Sequence, residues 1–238
     1  MMELSLDGED ALGALLQRYS LRSGSTERRL RALAAWVAAD ADAPTTVTAP
    51  EAVVRDHLAD SLVALEFPAV TGARHIADLG SGAGFPGLPL AIALPDARVS
   101  LVESNGRKCA FIDRAAAACS VDNASVVYAR AEQWAEGAEA CDAVLARALA
   151  PLPVVVEYAA PLLAMGGTLV VWRGRRDPEE EAQADRAAAI LGLEPGPPVQ
   201  VHPYPGAEHR HLHPIVKVAP TPPGYPRRPG MARKRPLG

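Results

Sequence analysis

The segment IADLGSGAGFPGLPL (76–90) holds the residues of this chain best suited to chemistry. An apolar run ends at Asp78 and Leu79, and Gly80, Gly82 and Gly84 follow at alternate positions. Without a Cβ, such a turn bends sharply and lets a ligand approach the backbone. A strand-to-helix turn also directs backbone N–H groups into the crevice at the carboxyl edge of a sheet. Glu103 closes the next apolar run, and an ionised carboxylate accepts hydrogen bonds from both hydroxyls of a ribose. The pattern reads as a nucleoside site, with a turn needed only for packing as the blander alternative.

Two cofactors fit this spacing. Gly82-x-Gly84-x-x-Gly87, with Glu103 about twenty residues on, satisfies the dinucleotide fingerprint. Asp78, Gly80, Gly82 and Gly84 also match the Asp-x-Gly-x-Gly-x-Gly pattern of class I S-adenosylmethionine-dependent methyltransferases. Spacing alone leaves both open.

Charge marks a second region. The chain has 24 Lys+Arg and 28 Asp+Glu, a net charge of -4. Five of the basic residues, Arg227, Arg228, Arg233, Lys234 and Arg235, fall in the last 14 positions, which contain no acid. An acidic body repels nucleic acid on average, so any attraction must be local. The tail supplies it, and Arg173, Arg175 and Arg176 add a second cluster after the strand-like run TLVVW (168–172). Pro and Gly in the tail predict an extended segment. A solvated charge run is the blander reading of each cluster; if the tail does hold nucleic acid, neutralising its charges is expected to weaken that binding and leave cofactor affinity nearly intact. His209, His211 and His213 alternate, but such alternation is uncommon in native zinc sites, so no metal is expected. His57, with Asp60 and Ser61, is either a packing residue or a substrate contact.

These residues need a frame. Short apolar runs at 75–79, 99–103, 125–128, 143–146 and 168–172 alternate with the helical stretches PGLPLAIAL, GRKCAFIDRAAAA and PVVVEYAAPLLA. The alternation predicts a doubly wound α/β fold with a mostly parallel sheet. A further helix, PEEEAQADRAAAILG, precedes VQVHPY and HLHPIVKVA, which read as a C-terminal antiparallel hairpin. Residues 1–67 read as an N-terminal helical cap, 68–224 as the nucleoside-binding domain and 225–238 as the basic tail. No apolar run approaches the length of a membrane span, and the acidic N-terminus does not look like a secretory signal. Three cysteines without metal-like spacing agree with a cytoplasmic chain.

Beyond the glycine turn, DLGSGAGFPGLPLAIALPDARVSLVESNGRKCAFI closely resembles the cofactor region of the ribosomal RNA small subunit methyltransferase G family (glucose-inhibited division protein B). HLADSL (57–62), ARAE (129–132), ARALAPL (146–152), RHLHPIVKV (210–218) and YPRRPGMARKRPL (225–237) resemble its further blocks in order, although Pro214 interrupts an otherwise apolar strand. The likeness spans about residues 50–238. It implies S-adenosylmethionine as cofactor, with contacts at Gly80, Phe85, Ala131, Glu132 and Arg147 beside Asp78, Gly82 and Glu103. It also implies methylation of a guanine N7 in 16S ribosomal RNA near the decoding centre, with RNA contacts on the five tail residues and Arg173. The expected partner is that RNA or the small subunit, not DNA or a membrane, and the chain is expected to be a monomer. Rival readings are a same-fold methyltransferase acting on another RNA or a small molecule, a nicotinamide-dependent oxidoreductase, and a non-catalytic RNA-binding assembly factor. A Gly80→Val change is expected to abolish cofactor binding without unfolding the chain.

Overall fold

A computed structural model of the chain describes residues 6–21 and 23–238. The first five residues, part of the acidic N-terminus and of the predicted cap, lie outside that range, as does Arg22. The helices in chain order are α1 (Leu6–Arg18), α2 (Gly24–Ala39), α3 (Pro50–Ala52), α4 (Asp60–Leu62), α5 (Pro68–Thr71), α6 (Gly87–Ala93), α7 (Gly106–Ala118), α8 (Leu152–Ala159), α9 (Pro178–Leu191) and α10 (Met231–Lys234). The strands are β1 (His75–Leu79), β2 (Arg98–Glu103), β3 (Ala124–Tyr128), β4 (Cys141–Arg147), β5 (Leu163–Arg173), β6 (Leu193–Pro195), β7 (Val199–Gln200) and β8 (His211–Lys217).

β1 is buried along its whole length, which its lack of polar/apolar alternation anticipated. It is the third strand in the order β3-β2-β1-β4-β5-β8-β6, and β7 pairs with β8. The first five strands run parallel, and β8 pairs antiparallel with β5. The direction of winding reverses between β1 and β4, the point where open α/β sheets bind ligands.

Alternate residues of each strand serve opposite faces. Ile76, Leu101, Leu145 and Val170 pack beneath α6 and α7 and the N-terminal helices, so Leu12, Leu30 and Leu58 share one apolar core with the sheet. Ala77, Val144, Leu169 and Val171 pack under α8 and α9, together with Ala232 of the tail. At the ends of α9, Asp177 accepts from the backbone N–H groups of Glu179 and Glu180, and Gly192 supplies the left-handed exit at φ 78°.

Three details differ from the sequence reading. Within the predicted helical cap, the helix that starts at Pro50 continues to Glu66 but widens into a π-helical stretch over Val53–Ala59, with Ser61 Oγ donating to the His57 carbonyl at 2.6 Å. The predicted first arm, VQVHPY, is strand only at Val199–Gln200 (β7), and an unpredicted strand, β6, pairs with β8 ahead of it, the two separated by Pro197 and Pro198, which have no N–H to donate. Pro214 is tolerated in β8 for a related reason. Its carbonyl accepts from Gly196 on the broken outer edge, so its missing N–H also faces that edge and β5 loses no hydrogen bond. Finally, the tail is not extended. It winds into α10, and Arg227 donates from Nε to Oε1 of the buried Glu157 at 2.8 Å and from Nη2 to the Arg235 carbonyl at 2.8 Å.

Candidate active site

The turn after β1 is built from backbone hydrogen bonds that require its glycines. Gly80 N–H donates to the Val102 carbonyl at 2.8 Å and Gly84 N–H to that of Ser81 at 2.7 Å, with φ of 70°, 61° and 88° at Gly80, Gly82 and Gly84. Asp78 lies underneath this turn. Its Oδ2 accepts from Gly87 N–H at 2.9 Å, and burial raises its pKa to about 6. Asp78 therefore braces the loop from below. Gly80 is tied to packing as well, because a Cβ there would lie 2.6 Å from Leu149 Cδ1 at a positive φ. A valine side chain at this position would strain the fold, so the expectation that Gly80→Val spares folding is corrected.

A pocket of about 390 Å³ opens at the carboxyl edge beside this turn, within the range of about 300–1,000 Å³ usual for small-molecule sites. Gly80, Glu103, Ala131 and Glu132, four of the residues expected to contact the cofactor, line it. Glu103 is held by two backbone donors, Gly82 N–H on Oε2 at 3.1 Å and Asn105 N–H on Oε1 at 2.8 Å. Each oxygen keeps a lone pair for a ribose hydroxyl. Glu132 stands across from it and accepts the Gly230 N–H at 3.2 Å. The acceptor set and the size fit S-adenosylmethionine: Glu103 would hold the ribose, and Ala131 with Glu132 the adenine end. The sequence reading missed Lys108, Leu149 and Tyr158 as lining residues, because each sits in a stretch that reads as ordinary helix or loop. It also assigned Arg233, a fourth lining residue, to RNA alone.

Asp78, Gly82, Phe85 and Arg147 do not line this pocket. Phe85 and Arg147 belong to a neighbouring cluster that joins the cap to the sheet edge. The His57 ring stacks on Phe85 with centroids 4.6 Å apart, and the Arg147 guanidinium lies 5.7 Å above the same ring. Arg147 donates to Asp60 Oδ2 at 3.0 Å and to His57 Nδ1 at 3.4 Å, which leaves Nε2–H to donate to Thr45 Oγ1 at 2.8 Å. Arg210 Nε sits 2.8 Å from Asp60 Oδ1, an ion pair by distance whose angles are off-line for a hydrogen bond. His57 and Asp60, unassigned by sequence, thus hold Arg147 in place.

Burial, followed by the Arg147 charge, lowers the His57 pKa to about 4. The unfolded chain takes up this proton first, so the neutral ring's contribution is complete above about pH 6.5 and is lost as pH falls towards 4. His57→Gln, which retains a donor and an acceptor, is expected to flatten the fall in stability across that window. Urea midpoints at several pH values would measure it, and a variant curve parallel to the parent's would refute the assignment.

The second basic cluster is largely neutralised. Arg173 pairs with Glu180, Arg176 Nη2 with Glu181 at 2.6 Å, and Arg175 reaches His209 at 3.5 Å. His211 bonds the Gly174 carbonyl, and His213 is buried 3.9 Å from Glu181. Among the described residues no group of three or more His, Cys, Asp or Glu converges as a metal site. In the tail, Arg227 is committed to Glu157, while Arg228, Lys234 and Arg235 are exposed and their side chains make no ion pair among the described residues.

A sheet in this order, with a glycine turn after its first strand and a carboxylate closing its second, defines a class I S-adenosylmethionine-dependent methyltransferase. The chain belongs to the rRNA small subunit methyltransferase G family, whose model matches residues 38–211. It is 39% identical over 196 residues to the ribosomal RNA small subunit methyltransferase G of Desulfitobacterium hafniense, covering 81% of each chain. Against that of Roseiflexus castenholzii it is 43% identical over 198 residues, covering 81% of this chain and 83% of the other. A SAM-dependent O-methyltransferase from Thermotoga maritima shares the fold, with a TM-score of 0.52 at 16% identity over 68% of this chain and 66% of that one.

Proposed function

We propose that the chain transfers the methyl group of S-adenosylmethionine to the N7 of a guanine in 16S ribosomal RNA near the decoding centre. The names of the family and of its relatives support the RNA substrate. One structural observation carries the choice of nucleophile. His57, stacked on Phe85 in the cluster beside the pocket, has both ring nitrogens engaged and its basicity lowered by burial, so it is a poor general base. Guanine N7 needs no base, because its lone pair is free at neutral pH.

Bound S-adenosylmethionine would supply the methyl group as an activated sulfonium, the bond to N7 forming as the carbon–sulfur bond breaks, so no base would be needed to remove a proton. The chain's own contribution is placement. Glu103 and the glycine turn orient the nucleoside, and Phe85 with His57 offers an apolar wall that excludes water beside Arg147. The same reading takes the cap, the methyltransferase domain and the tail as working units of a monomer that acts on RNA, not DNA, in the cytoplasm.

The test supplies labelled S-adenosylmethionine with small subunits and with naked ribosomal RNA, then maps N7-methylguanine by chemically induced strand scission. Label at one guanine is the expected result. Transfer to neither substrate, or label at another atom, overturns the proposal.

A further inference from the structure

We propose that residues 227–235 form a two-faced strap: its inner face completes the cofactor pocket and its outer face holds RNA phosphates, so that cofactor and RNA bind with positive coupling. The RNA half of this inference rests on the proposed function; the cofactor half does not.

The inner face is drawn by two contacts to the pocket itself. Gly230 N–H donates to Glu132 Oε1 at 3.2 Å, and Arg233 lines the pocket while its Nη2 donates to the Leu149 carbonyl at 2.9 Å. Leu149 is also the side chain that rests on Gly80. Gly230 and Arg233 together therefore link the segment that carries Glu132 to the loop after β4. Tyr158 also lines the pocket, its pKa raised by burial and then by the Glu132 charge.

The strap is docked, not trailing. Ala232 is buried in the core under α8, and Arg227 clamps both the Glu157 carboxylate and the Arg235 carbonyl, tying the two ends of the segment together. Between these anchors, Arg228, Lys234 and Arg235 carry charges with no acid paired to them among the described residues. One short segment thus carries both pocket groups and, among the described residues, exposed cations with no acid paired to them. A cofactor seated against Gly230 and Arg233 fixes the position of the same short segment whose exposed cations would meet RNA, so each ligand favours the other's binding, and by linkage the effect is reciprocal. The expectation that the tail serves RNA and leaves cofactor affinity intact is revised accordingly: Arg233 belongs to the pocket.

The test uses the full chain and S-adenosylhomocysteine as the probe. Calorimetry is expected to show about tenfold weaker binding for Arg233→Ala and partial recovery for Arg233→Lys, and backbone amides of 228–235 are expected to exchange more slowly once the probe is bound. A ribosomal RNA transcript is expected to tighten probe binding by about fivefold or more, and the triple change R228Q/K234Q/R235Q to abolish that tightening. Wild-type affinity in Arg233→Ala together with unchanged strap exchange overturns the inner face. RNA that binds without altering probe affinity overturns the coupling. If the probe binds and protects the strap but no methyl group reaches ribosomal RNA, the proposed function fails while the inner face stands.

Discussion

Gly87→Ala is expected to destabilise the chain by about 3 kcal/mol, although alanine is the better helix former by up to about 1 kcal/mol. Gly87 opens α6 directly over the sheet. A Cβ there would overlap the buried Leu101 side chain of β2 and stand 2.8 Å from Asp78 Oδ2 and 3.1 Å from Asp78 Cβ. Neither neighbour can yield cheaply, since Leu101 is wholly buried and Asp78 accepts the Gly87 N–H. The helix must lift, and the glycine turn that it terminates must lift with it. Gly106→Ala is the control. It also sits at the start of a helix, but the nearest atom to its Cβ, the Tyr128 hydroxyl oxygen, is 3.5 Å away, so that change is expected to be neutral or slightly stabilising. Urea unfolding of both variants checks the pair; a Gly87→Ala midpoint equal to the parent's would show that α6 has room the packing does not reveal.

Glu103→Gln is expected to lower affinity for S-adenosylhomocysteine by about 100-fold, a loss of roughly 2.7 kcal/mol. Two charge-assisted hydrogen bonds to a ribose, each worth about 1.5–3 kcal/mol, are at stake. Glutamine is a poor substitute here for a reason specific to this site. Both carboxylate oxygens already face backbone donors, Gly82 N–H and Asn105 N–H. Either orientation of the amide would set its NH₂ against one of those N–H groups, so the turn is disturbed as well as the diol contact. Calorimetry measures the loss directly. Affinity within about threefold of the parent's would move the ribose away from Glu103.

Much of the frame was legible from the chain alone. The runs at 75–79 and 99–103 became β1 and β2 with bounds matched or one residue longer, because a strand buried on both faces must be apolar at nearly every position. The glycines at alternate positions announced a turn with positive φ, and the residues after β1, β2 and β3 arrived together because a parallel sheet brings its carboxyl ends to one edge. The tail was harder to read. Its composition suggested extended, solvated arginines, yet Arg227 answers the buried Glu157 seventy residues earlier, a complement that leaves no local signal.

Strand positions, glycine turn and family membership were thus determined by local pattern, since hydrophobic periodicity and backbone freedom are properties of a few adjacent residues. Which side chains share a site was decided only by the tertiary structure. His57 and Asp60 converge on Arg147 from a separate helical segment, Arg233 reaches Leu149 from the far end of the chain, and Phe85 is drawn away from the pocket by its stack with His57. Such contacts depend on how elements distant in sequence pack, and the charge of a residue does not say where its partner lies. The basic tail is the clearest case: its sequence pointed to RNA, and its docking made it a wall of the pocket beside the glycine turn.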